Sequence, residues 1–91
     1  MKLIAGLGNP GKEYSKTKHN FGYWVIEELI RKRSLKLKAG KGDYLYAKED
    51  DCLFVKPTSF MNSSGLVLLD VTNYYKIKIE EILIIYDDID L

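Results

Sequence analysis

The chain is poor in the residues that usually announce a site from composition alone. It has one cysteine (Cys52), one histidine (His19) and two prolines (Pro10 and Pro57) in 91 residues. A lone cysteine excludes an internal disulfide framework and a thiolate cluster around a structural metal. Charge of one sign is missing as well. Fourteen Lys and Arg against thirteen Asp and Glu leave a net charge of +1, so no whole-molecule field points to nucleic acid and any such contact must be local. No apolar run approaches the length of a membrane span. Met1-Lys2 leads directly into an apolar segment, without the charged and apolar regions of a signal peptide. The expected setting is reducing and cytoplasmic, with no membrane partner.

What is present fits one small α/β domain. Hydrophobic residues make up 46% and charged residues 30%, a globular rather than a disordered balance. Lys2 to Leu7 reads as a buried strand, and Gly8 to Lys16 as a loop turning at Asn9-Pro10-Gly11. Thr17 is placed to cap a helix whose first turn holds Lys18, His19 and Asn20. Its apolar stripe is Phe21, Val25 and Leu29 with Gly22, Ile26 and Ile30. Arg31, Lys32 and Arg33 complement the dipole at its end.

Residues 34–41 read as a basic, glycine-punctuated connection. Asp43–Lys48 and Cys52–Lys56 form a hairpin around Glu49-Asp50-Asp51. A second helix follows Thr58–Asn62 and runs to about Lys76, with Val67, Val71, Tyr74 and Tyr75 as its buried face. Gly65 in its first turns suggests close packing or the approach of a ligand. Ile82–Ile85 has the all-apolar pattern of a central strand covered on both faces. A strand–helix–hairpin–helix–strand unit leaves sheet edge uncovered, so residues 1–91 are expected to be one incomplete domain, able to self-associate.

Gly6-Leu7-Gly8-Asn9-Pro10-Gly11 matches the dinucleotide fingerprint G-x-G-x-x-G. The context does not: Lys12–Lys16 has no apolar helical face, and the acidic residue expected at the end of a second strand is missing. A nucleotide-binding enzyme built on Gly6–Gly11 is therefore the minor alternative.

His19 carries the chemical reading. At the amino-terminal end of a helix the dipole disfavours imidazolium, which suits a general base whose ordinary pKa is about 6.5. A carboxylate from another element would hold its tautomer and offset the charge it gains. Asp87, after the last strand, is the best placed. Asp88 and Asp90 are alternatives, and all three also suit solvated strand-end charges or metal ligands. One histidine with three acids is a weak metal signature, and none is expected. Asn9 and Asn62 both donate and accept, as orienting an ester carbonyl and a water requires, although a turn former and a helix cap are equally ordinary roles. Tyr14 and Phe60 suit stacking on a base or acyl group, or simply the core.

Four stretches in order, GLGNPGKEY (6–14), TKHNFG (17–22), KPTSFMNSSG (56–65) and YYKI…EEILIIYDDIDL (74–91), resemble the bacterial-type peptidyl-tRNA hydrolases. The resemblance implies a three-layer α/β/α fold with a mixed central sheet, truncated here at its carboxyl side. It implies hydrolysis of the ester joining a peptide to tRNA, without metal or organic cofactor. His19 would activate water, Asp87 would support His19, and Asn9 would help separate peptidyl from aminoacyl substrates. Tyr14, Phe60 and Asn62 would line the cleft for the acceptor end. Lys18 stands where the family usually has Arg. The chain covers about the first half of the family's length, so a poor or inactive enzyme is expected from it alone. Full-length relatives are expected to be monomeric. A non-catalytic RNA-binding relative of the same fold is the main alternative.

Overall fold

A computed structural model describes residues 1–9, 20–59 and 63–86. The described elements are β1 (Lys2–Gly6), α1 (Phe21–Lys32), β2 (Lys38–Ala39), β3 (Tyr44–Glu49), β4 (Cys52–Pro57), α2 (Ser64–Tyr75), a 3-10 turn (Ile79–Glu81) and β5 (Ile82–Ile85). They build one mixed sheet in the order β2-β3-β4-β1-β5. β1 runs parallel to both β4 and β5, while β3 is antiparallel to β2 and β4.

The layers follow from the two-residue period of strands. Leu3 and Ala5 of β1, with Leu53 and Val55 of β4, face α2 and pack with Val67, Leu68 and Val71. Ile4 and Phe54 point the other way, into a cluster with Ile26 and Ile30 of α1 and Ala47 of β3. Helix, sheet and helix form three layers, and central β1 has apolar side chains on both faces because both are covered. The β3–β4 hairpin turns through Asp50-Asp51, with Asp50 at φ 53° in the left-handed region that Asp tolerates better than most residues. At the end of α1, Ser34 takes the left-handed position at φ 57°. Its N–H donates to the Arg31 carbonyl and that of Leu35 to the Ile30 carbonyl, closing a Schellman motif.

Several expectations need correction. α1 begins at Phe21 with Asn20 at its N-cap; Thr17, Lys18 and His19, expected at the start of this helix, lie outside the described residues. Its buried face is Gly22, Tyr23, Ile26 and Ile30, while Phe21 is exposed. In α2, Val67 and Val71 are buried as expected, but Leu68 joins them and Tyr74 is exposed. Tyr74 instead packs edge-on to Tyr75, with the Lys41 ammonium 4.9 Å from its ring centroid. A Cβ at Gly65 would meet nothing within 4 Å, so close packing is not its role among the described residues. The 34–41 connection contains β2, a two-residue edge strand. Among the described residues Ile82–Ile85 is not covered on both faces: β5 lies at the end of the sheet, and Leu83 and Ile84 are 56% and 40% exposed.

Candidate functional site

The parallel strands β4, β1 and β5 end at one edge of the sheet. Three pieces of chain leave it there, through Asn9 after β1, Ser59 after β4 and Tyr86 after β5. In open α/β sheets ligands gather outside such carboxyl ends. His19, Tyr14, Phe60, Asn62, Asp87, Asp88 and Asp90 lie outside the described residues, in the stretches 10–19, 60–62 and 87–91 that adjoin these exits. Asn9 is the one predicted site residue that is described.

Glycine brings α1 to this edge. The Leu7 N–H donates to the Ile85 carbonyl at 2.9 Å, extending the pairing of β1 with β5. Over that junction sits Gly22, where an added Cβ would lie 2.3 Å from the Ile85 carbonyl oxygen and 2.4 Å from that of Leu7. A Cβ at Gly6 would meet the Gly22 carbonyl oxygen at 2.2 Å. Only hydrogen fits at either position, so the first turn of α1 rests directly on the strand ends. The first two glycines of the fingerprint-like motif thus serve this approach: Gly6 faces Gly22, and Gly8 lies against the Tyr23 ring.

Two side chains that the sequence reading passed over tie the edge together. Asn20 does not cap α1 with its side chain. Its amide turns back to Asn9, accepting from the Asn9 N–H at 2.9 Å and donating to the Asn9 carbonyl at 3.1 Å. Asn20 is 4% exposed and Asn9 half-buried, so both bonds are partly shielded from water. The two residues that bracket 10–19 are thereby joined. Tyr23, also buried, donates its hydroxyl to the Pro57 carbonyl at the end of β4. Burial, with Glu27 nearby, pushes its phenol up to about 12, so it stays a proton donor throughout the physiological range. The Lys56 ammonium lies 4.7 Å from the Tyr23 ring centroid and pairs with Glu27 of α1. Tyr23 had a legible signal: with Ile26 and Ile30 it falls at helical three-and-four spacing.

Beside the end of β4, on the α2 face, a cavity of about 390 Å³ opens between Lys41, Asp43, Tyr44, Ser59, Asp70 and Tyr74. The Ser59 hydroxyl in its wall is buried and has no hydrogen-bond partner among the described residues. No group of three or more His, Cys, Asp or Glu among the described residues is arranged to hold a metal ion, and no described helix is long and apolar enough to cross a membrane.

Comparisons with known proteins bear on this edge. The family model described as Peptidyl-tRNA hydrolase matches residues 3–91. A peptidyl-tRNA hydrolase of Mesomycoplasma hyopneumoniae (strain 7448) is 47% identical over 90 residues, covering 99% of this chain and 49% of that protein. One from Mycoplasmopsis pulmonis is 46% identical over 91 residues, covering 100% and 49%. The crystal structure of peptidyl-tRNA hydrolase from Acinetobacter baumannii superposes with a TM-score of 0.91 at 35% identity, again over the whole of this chain and 49% of that one. The chain spans about half the length of the curated relatives it matches. A family model matched over residues 3–91, and 47% identity over 99% of the chain, show that this chain belongs to the peptidyl-tRNA hydrolase family.

Proposed function

We propose that residues 1–91 carry the amino-terminal part of a peptidyl-tRNA hydrolase domain, and that the carboxyl edge of the sheet hydrolyses the ester between a peptide and tRNA. The observation that carries this reading is 47% identity to a peptidyl-tRNA hydrolase across nearly the whole chain, on a fold whose three parallel strands end at one edge.

In this reading His19 accepts a proton from water as the water oxygen attacks the ester carbonyl carbon. The bond from that carbon to the ribose oxygen then breaks, and the proton passes to the departing ribose hydroxyl. Asp87 holds the imidazole in the tautomer that accepts the proton and offsets its transient charge. Asn9 orients the peptide end of the substrate, held by its backbone through Asn20. Tyr14, Phe60 and Asn62 line the cleft for the acceptor end of tRNA. This chemistry needs neither metal nor organic cofactor, and its substrate places the protein in the cytoplasm.

The test uses a chimera in which this chain is continued by the carboxyl-terminal half of a family member. His19→Ala is expected to abolish peptidyl-tRNA hydrolysis with tRNA affinity retained. Hydrolysis at the unsubstituted rate would overturn the assignment of His19. The 91 residues alone are expected to turn over far more slowly than the chimera, and equal rates would contradict the need for a second wall to the cleft.

A further inference from the structure

We infer that Tyr23 is a positioning residue that fixes the separate segments of this site relative to one another. The inference rests on the hydrolytic reading above. Three pieces of chain converge on one side chain. Tyr23 belongs to the first turn of α1, four positions after His19. Its ring lies over Gly8, which directly precedes Asn9, and a Cβ at Gly8 would come within 2.7 Å of that ring. Its hydroxyl donates to the carbonyl of Pro57, five positions before Asn62.

The anchor is rigid. Tyr23 is 5% exposed, so its hydroxyl has no water to turn to if the Pro57 carbonyl moves away, and losing that bond costs the desolvation of both groups. Lys56 lies over the ring while its ammonium pairs with Glu27, one turn further along α1. This second link joins the same helix to the same strand. Beyond Gly22, the other buried residues of α1, Ile26 and Ile30, pack on Ala47 and Phe54 and fill the core between α1 and the sheet. Tyr23 differs from them in carrying a directional bond to the strand end that leads into 60–62.

The sequence offers a clean readout, because His19 is the only histidine and its imidazole signals need no assignment among rivals. Tyr23→Phe removes one oxygen and keeps the ring over Gly8. In the 91-residue chain, this variant is expected to shift the imidazole ring signals of His19 in nuclear magnetic resonance spectra. It is also expected to move the side-chain amide signals of Asn62. Ile26→Val, a core truncation on the same helix, should leave both in place. Unmoved His19 ring signals and unmoved Asn62 signals in Tyr23→Phe would overturn the inference. So would loss of cooperative unfolding in that variant, since Tyr23 would then be holding up the fold as a whole. Failure of the hydrolytic reading shows elsewhere, as hydrolysis surviving His19→Ala, and leaves these spectra unchanged.

Discussion

Asn20 and Asn9 are joined by a reciprocal pair of hydrogen bonds, at 2.9 and 3.1 Å, in which one side-chain amide satisfies both polar groups of the other residue's backbone. The pairing closes the neck of the 10–19 segment. Asn20→Ala removes both of these bonds to the half-buried Asn9 backbone, and is expected to destabilise the chain by about 2 kcal/mol. Urea unfolding measures that loss, and hydrogen exchange at the Asn9 amide should speed up with it.

Two glycines should respond to alanine with opposite signs. Gly22→Ala drives a methyl group into two backbone carbonyl oxygens, so α1 must lift from the strand ends, at a cost of about 3 kcal/mol. Gly65 faces open space in α2, and Gly65→Ala should stabilise by about 0.5 kcal/mol through helix propensity. Paired thermal melts check both.

Ser34 holds a left-handed conformation, φ 57°, at the end of α1. Glycine adopts it without the Cβ penalty. Ser34→Gly is expected to raise stability by about 0.5 kcal/mol, with the Schellman bonds from Ser34 and Leu35 intact.

Alkaline stability depends on Tyr23. Its folded pKa of about 12 lies above the ordinary value of 10, so the folded chain holds this proton more tightly than the unfolded one. The contribution is therefore full below pH 10 and is lost as the pH rises from 10 towards 12, by about 2 kcal/mol. Tyr75, pushed up to about 12 chiefly by burial, adds to the same limb, so Tyr23→Phe should remove only part of it, as unfolding midpoints between pH 8 and 11.5 would show.

The exposed edge predicts association. Leu83 and Ile84 point to opposite faces of β5, both exposed, beside a strand edge that has no partner among the described residues. Sedimentation should show concentration-dependent self-association, weakened by Leu83→Lys. A strictly monomeric profile would contradict it.

The residues differ in how openly they declared themselves. β1 and the hairpin were legible because apolar runs and an Asp-Asp turn carry local signals, and the Val67–Val71 face of α2 because burial there follows the helical period. β2 was not, since Lys38-Ala39 is too short for any pattern and is recruited only by its partner β3. The Ile82–Ile85 run has the composition of a covered strand, yet cover is a property of neighbours, and its four residues cannot show that none of the described elements flanks β5 on the side away from β1. Asn20 reads locally as a cap, and only the fold brings Asn9 within its reach. The burial of Tyr23 was legible in its helical spacing with Ile26 and Ile30, but its bond to the Pro57 carbonyl depends on a strand far along the chain. Among the predicted site residues, Asn9 alone falls where the structure speaks.

The place of β1 in the sheet also sets the order in which this fold can form. β1 takes its neighbours from residues 52–55 and 82–85, so on a growing chain it is not flanked by strands of this sheet until both have followed. The edge from which the site is built cannot be completed before residue 85 is in place, and the apolar Leu3-Ile4-Ala5 segment keeps an unpaired side until then.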